Sequence, residues 1–206
     1  LSETQEMTER GRELASLPLD PTLGRMLLQA REEGCLDDML NLAAGLSIPD
    51  PRERPEERKE LANAAHKAFA APDSDFMTLL KIWNASPDPQ GSGKNALRKF
   101  CRENFLSFTR MTEWRDIWKQ LSESLDAAPR LPPGPKPTTA LTPEDRIHRC
   151  ILAGQLGHIA LREERNVYKA GGNREVMIFP GSNLYERRDK KNPSKPGQDK
   201  SKQPAW

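Results

Sequence analysis

The residues of this 206-residue chain with the most evident chemical potential are a glycine-rich run ending on lysine, three histidines, three cysteines and several acidic pairs. Gly91-Ser92-Gly93-Lys94 has the outline of a phosphate loop. A working loop needs a glycine five places before the Gly-Lys pair, so that backbone N–H groups can cradle phosphates, and a Ser or Thr after the lysine. Position 88 is Asp, Asn95 follows the lysine, and no strand pattern comes before, so a flexible loop is expected. His66, His148 and His158 lack metal-ligand spacing. His66 sits on a helix flank between Ala65 and Lys67, and His148 and His158 read as ten residues apart on one helix. All three are expected to be surface or half-buried structural histidines. Cys35, Cys101 and Cys150 are odd in number and form no CxxC pair. A zinc site and a disulfide framework are both disfavoured, and buried free thiols in a reducing cytoplasm are expected. Glu32-Glu33 and Asp37-Asp38 fall at helix ends, where acidic residues suit a helix N-terminus through its dipole. No nucleophile–base set is visible, so no catalytic residue, metal or cofactor is assigned to this chain.

The elements that must position any site follow from periodicity. Charged residues make up 30% and hydrophobic residues 35%, which supports a modest core but not one along the whole length. No apolar run approaches the roughly 18 residues of a membrane helix, and no signal peptide is expected. Thr8 to Leu17 reads as a short helix. Asp20 is an N-cap with Pro21 at the first helical position, and Gly34 ends that helix. Leu36 to Leu46 is a further helix, broken by Pro49-Asp50-Pro51. Between Pro55 and Ala70 the apolar side is read as Leu61, Ala65, Ala68 and Phe69. Ser74 caps a helix with the face Phe76, Leu79, Leu80 and Trp83. Asn95 to Ala127 carries a nearly continuous apolar stripe, on which Trp114 and Trp118 fall four apart; its pattern drifts near Arg110, leaving one helix or two. Leu27, Leu40, Leu80, Trp83, Phe105, Ile117 and Leu121 are the expected core.

Pro129 to Pro137 holds five prolines and reads as a semi-rigid linker. Thr142-Pro143 then opens a helix carrying Ile147, Ile151 and Ile159. Asn166–Ala170 and Arg174–Phe179 alternate with period two across Gly171-Gly172-Asn173, a hairpin signal. From Glu186 to Lys202 there are seven basic and three acidic residues, a solvated segment expected to be disordered. The fold class is therefore mainly α: a helical bundle, a proline-rich linker and a partial small β domain.

Several runs resemble, in order, the accessory region of bacterial HrpA-type DEAH-box RNA helicases. Leu14 to Leu28 resembles the stretch where the winged helix of that family passes into its helical bundle. Gly34-Cys35-Leu36, Ala44-Gly45-Leu46-Ser47 and Pro51-Arg52-Glu53-Arg54-Pro55 continue the likeness. Ser74-Asp75-Phe76 with Leu79, Leu80 and Trp83 follows, then Cys101, Asn104-Phe105-Leu106, Arg110, Glu113-Trp114, Asp116-Ile117 and Gln120-Leu121. Ile147 to Ile159 resembles a helix of the family, and Phe179-Pro180-Gly181-Ser182-Asn183-Leu184 resembles a motif of its OB-fold. The likeness covers most of residues 8 to 185. The proline linker is more elaborate than the family's, and no phosphate loop or DEAH box is present in this sequence.

The resemblance implies residues 1–20 as the end of the winged-helix region, 21–128 as the helical bundle or ratchet domain, 129–141 as linker, 142–185 as a helix plus the opening hairpin of the OB-fold, and 186–206 as the basic segment. The ends of the chain read as cuts in a longer one, and the truncated OB-fold as leaving an exposed sheet edge. The parent is implied to be a cytoplasmic ATP-dependent RNA helicase whose motor domains, absent here, use ATP and Mg. The implied partners are single-stranded RNA (or DNA) and those motor domains, with no membrane. A strand held by its backbone calls for cationic and hydrogen-bonding groups. On the Asn95–Ala127 stretch, Asn104, Ser107 and Arg110 fall at i, i+3 and i+6, with Arg98 and Arg102 a turn or two earlier. Gly181 and Ser182 complete the candidates, the first for close backbone approach to a phosphate and the second as a hydroxyl donor. Composition alone prefers a second class, a helical protein-interaction domain whose basic tail is a nonspecific electrostatic arm; the collinear motifs favour the first.

Overall fold

A computed structural model describes residues 6–16, 20–88, 91, 93–127 and 141–186. Eight α-helices lead into a three-stranded antiparallel sheet among these residues. The helices are α1 (Glu9–Ser16), α2 (Pro21–Glu33), α3 (Leu36–Leu46), α4 (Lys59–Lys67), α5 (Asp75–Ala85), α6 (Lys94–Glu103), α7 (Phe108–Ala127) and α8 (Pro143–Gly154). The strands are β1 (Ala160–Glu164), β2 (Val167–Ala170) and β3 (Arg174–Met177). The proline-rich run and the basic segment from 187 lie outside the described residues.

Helix boundaries follow side-chain chemistry. The Asp20 carboxylate accepts from the Thr22 N–H at 2.8 Å, with Pro21 behind it. Gly34 closes α2 at φ 71°, in the left-handed region that favours glycine. Ser74 caps α5 and a Thr142–Asp145 capping box opens α8. The apolar faces of α2, α3, α5, α6 and α7 meet in one core with Met26, Met39, Leu42, Ile82, Met111 and Trp114 fully buried. Leu27, Leu40, Leu80, Trp83 and Leu121 are buried as expected, whereas Phe105 and Ile117 are only half-buried. The Trp83 ring lies 5.3 Å from Trp114 and 5.8 Å from Trp118, so the two tryptophans of α7 pack against a third from α5.

Three other expectations need correction. The buried face of α4 is Ala62, His66 and, just beyond its end, Phe69, while Leu61 is 59% exposed. Its apolar pattern is thus anchored by a histidine, which hydropathy alone assigns to the flank. Helix α8 stops at Gly154, so His158 lies in a 3-10 turn and Ile159 is exposed. Strand β1 follows, two apolar residues and then three charged ones, with no period-two pattern and almost no burial to signal a strand. Helix α8 also shares the core of the bundle through Ile147, Cys150 and Ile151. Its close approach to α2 depends on Gly154, where a Cβ would lie 2.6 Å from the Thr22 carbonyl oxygen.

The Asn95–Ala127 stretch is two helices. Phe105 adopts φ 52°, which breaks the ladder. The break is held from several sides: the Phe105 carbonyl accepts from Glu53 N–H at 2.9 Å and meets His66 Nε2 at 3.0 Å, while Ser107 N–H donates to the Pro51 carbonyl at 2.8 Å. Burial pushes the His66 imidazole below its ordinary range, with Arg54 and Arg52 adding to the effect against the Phe105 carbonyl and Asp50. As pH falls below about 6.5, the unfolded chain takes up this proton before the folded one does. Stability from this site should therefore be complete above about 6.5, decline as pH drops through the folded value, and then level off. Urea midpoints at pH 7.5 and 5 test this: H66Q should flatten the difference, and an unchanged slope would contradict it.

The sheet is a meander, β1–β2–β3. Gly172 and Asn173, both at positive φ, make the β2–β3 connection the sequence called for. Asn166, 8% exposed, ties the sheet to Glu186 by exchanging hydrogen bonds with its backbone at 3.0 Å each. Leu161, Val176 and Met177 remain exposed on it.

Candidate nucleic-acid interface

Helix α6 buries only Leu97 and Cys101, four apart on one side. Its other sides carry Lys94, Arg98, Lys99 and Arg102, all exposed, against a single acid, Glu103. The Arg98 guanidinium lies over the Phe108 ring at 4.7 Å, a cation–π contact that holds the side chain in place while the residue stays exposed. No salt bridge to Arg98, Lys99 or Arg102 occurs among the described residues. This is a short, preorganised cationic face.

The other candidates on this stretch do different work. Asn104, Ser107 and Arg110 do not share one helical side, because the Phe105 break lies between them. The Asn104 side-chain N–H donates to the Phe100 carbonyl at 2.9 Å and finishes α6. Ser107 opens α7 by accepting from the Met111 N–H at 2.9 Å. Arg110 reaches back to donate to the Asp50 carbonyl at 2.7 Å. Asp50 in turn grips Arg52 through both carboxylate oxygens. Burial pushes the Asp50 carboxyl up, but the hydrogen bonds and charge of Arg52 outweigh it and hold it below the usual carboxylate range. These residues fix the α6–α7 corner to the segment after α3.

Gly181 and Ser182 dock on the start of α5. The Ser182 hydroxyl donates to Asp75 Oδ2 at 2.5 Å, and the Asn183 N–H donates to Asp75 Oδ1 at 3.0 Å. The Asn183 amide donates to the Thr78 hydroxyl at 2.8 Å. A Cβ at Gly181 would lie 2.5 Å from the exposed Phe179 ring, so a side chain there would displace that ring. The resulting groove, about 290 Å³, is lined by Gly45, Asp50, Arg52, Asp75, Phe179 and Ser182 among others. Its lining sets two carboxylates against one guanidinium, and the Ser182 proton faces Asp75. The cationic face of α6 and this groove are thus separate sites. Asp75 was the residue that reading motif by motif missed; its signal was the joint presence of Ser74-Asp75-Phe76 and the Phe179–Leu184 run.

Residues 20–79 match the family described as helicase-associated domain (HA2), ratchet-like. An ATP-dependent RNA helicase HrpA homolog of Haemophilus influenzae is 36% identical over 190 residues, 91% of this chain and 14% of that protein. The ATP-dependent RNA helicase HrpA of Escherichia coli is 34% identical over 184 residues, 88% of this chain and 14% of that protein. Residues 20–79 thus match a ratchet-like helicase-associated domain, and most of the chain is similar to one stretch of two HrpA helicases. The chain spans about one seventh of the length of the curated relatives it matches. The helicase-associated match to 20–79 takes in α2 to the start of α5, including both Asp50 and Asp75. The cationic α6 lies beyond that match but within the extent of the likeness to the two helicases. Among the described residues no helix is long and apolar enough to cross a membrane.

Proposed function

We propose that this chain is the nucleic-acid-handling accessory region of an ATP-dependent DEAH-box RNA helicase, and that it guides single-stranded RNA while the motor domains of the same parent, holding ATP and Mg, unwind it in the cytoplasm. The exposed cationic face of α6 carries this reading. Arg98, Lys99 and Arg102 would follow phosphates, which favours backbone binding without base readout. Asn104, Ser107 and Arg110 would act by holding the corner that aims this face. Gly181 and Ser182 would shape the far end of the region through the α5 contact rather than grip the strand.

The test is fluorescence anisotropy with a labelled single-stranded RNA. Replacing Arg98, Lys99 and Arg102 together with alanine should weaken affinity at fixed salt. For single strands each lost phosphate contact removes about 0.7 from the slope of log K against log salt, so the slope should flatten by roughly 2. Unchanged affinity and slope, with circular dichroism intact, would favour the protein-interaction reading. A second expected outcome concerns activity: the purified chain should not hydrolyse ATP, with or without RNA. Robust hydrolysis abolished by one substitution in this chain would contradict the proposal.

A further inference from the structure

Two of the three cysteines, read from the sequence as isolated thiols, meet in space. Cys35 Sγ, in the turn between α2 and α3, lies 3.6 Å from Cys150 Sγ on α8, across 115 residues of chain. Both are free thiols. Helix α8 follows the proline-rich run in sequence, and this contact lies where it seats on the bundle. Glu33, at the end of α2, is 5% exposed and pairs there with Arg149 at 3.2 Å. A disulfide needs its sulfurs about 2.05 Å apart. Closing the gap asks for a side-chain rotation at Cys35, which sits in a turn, beside the left-handed Gly34.

We propose that Cys35 and Cys150 are a redox-modified pair, converted by hydrogen peroxide into a disulfide that clamps α8 to the α2–α3 turn. The two cysteines are unequal in a way that orders the steps. Cys35 is half-exposed and Cys150 fully buried, so peroxide reaches Cys35 first. The hydrogen bond with Cys150 holds the Cys35 thiol below its ordinary range, with Arg146 helping against burial, Asp38 and Glu33. The same hydrogen bond and burial push Cys150 up. Cys35 Sγ attacks one peroxide oxygen; the O–O bond breaks, an S–O bond forms, and the second oxygen leaves as water with the thiol proton. The product is a sulfenic acid at Cys35. Cys150 Sγ then attacks that sulfur; the S–O bond breaks, the S–S bond forms, and hydroxide leaves as water with the Cys150 proton. Two thiols lose two electrons and one peroxide becomes two waters.

Cys101 is an internal control. It is a free thiol, 2% exposed, and burial pushes it up to about 11. The experiment treats the reduced chain with hydrogen peroxide, quenches in acid, denatures, alkylates free thiols and digests with trypsin. The expected product is a linked pair of peptides, 32–52 with 150–162, and alkylation at Cys101 alone. C101S should keep the link, and C35S and C150S should each lose it. Melting temperature should rise by roughly 5–15 °C on oxidation and return with reductant, as a closed loop of this size implies. If either single variant unfolds, the wild-type chain still decides, because it can form three different links. No linked peptide at peroxide levels that oxidise Cys35, or links through Cys101 in equal yield, would overturn the proposal.

Discussion

Trp114→Ala should destabilise the bundle by about 3–5 kcal/mol, the range for deleting a large buried aromatic. The side chain is fully buried, and three neighbours depend on it. Its indole N–H donates to the Asn41 carbonyl at 2.8 Å, tying α7 to α3. Its ring stacks at a tilt on Trp83 of α5. It also packs against Gly45, where a Cβ would come within 2.4 Å of the ring. Alanine leaves a cavity bounded by three helices and removes the donor to a helix carbonyl. Urea unfolding would measure the loss. A cost under about 1 kcal/mol would mean that α3 and α7 collapse onto each other, against the close packing described. Gly45→Ala presses on the same contact from the other side. It should cost about 1–3 kcal/mol by overpacking.

Asp75→Ala should detach residues 179–186 from the bundle. The Asp75 carboxylate accepts one hydrogen bond from the Ser182 hydroxyl and one from the Asn183 N–H. Hydrogen bonds to charged groups contribute about 1.5–3 kcal/mol each. Losing both should raise opening of this segment by roughly a hundredfold or more, at 1.4 kcal/mol per tenfold. Amide hydrogen exchange reads this directly. Protection should fall across residues 179–186 while α2, α3 and α7 stay protected. Asp75→Asn, which keeps two acceptor lone pairs on its oxygen but no charge, should fall between. Equal protection in all three proteins would show that Asn183 and Thr78 hold the segment without the carboxylate.

The helices were legible because their boundaries are set by local chemistry. Asp20-Pro21, Gly34, Ser74 and Thr142-Pro143 act through atoms a few residues apart, and the structure uses all of them. The α6–α7 corner was not legible. It depends on a phenylalanine at positive φ, held by residues 52 to 66, far away in sequence. Only the drift of the apolar pattern near Arg110 marked it. The same limit hid the Cys35–Cys150 contact and the Asp75–Ser182 bond, each of which spans more than a hundred residues. Of the candidate interface, Arg98 and Arg102 stand where helical periodicity puts them, on the exposed side of α6. Asn104 and Arg110 read as polar residues on a face, but the end of α6 claims the first and a tertiary hydrogen bond to Asp50 claims the second. Charge on a surface is readable from spacing, but which polar groups the fold keeps for itself is not.

Photo-crosslinking puts the strand itself on the protein. The complete chain is irradiated with a 4-thiouridine single-stranded RNA, and the linked peptides are mapped by mass spectrometry. If α6 guides the strand, links should concentrate between Lys94 and Phe108 and should fall when Arg98, Lys99 and Arg102 are replaced together. Links confined to the basic segment 187–206, unaffected by those three replacements, would contradict that role and leave the helices to a protein partner.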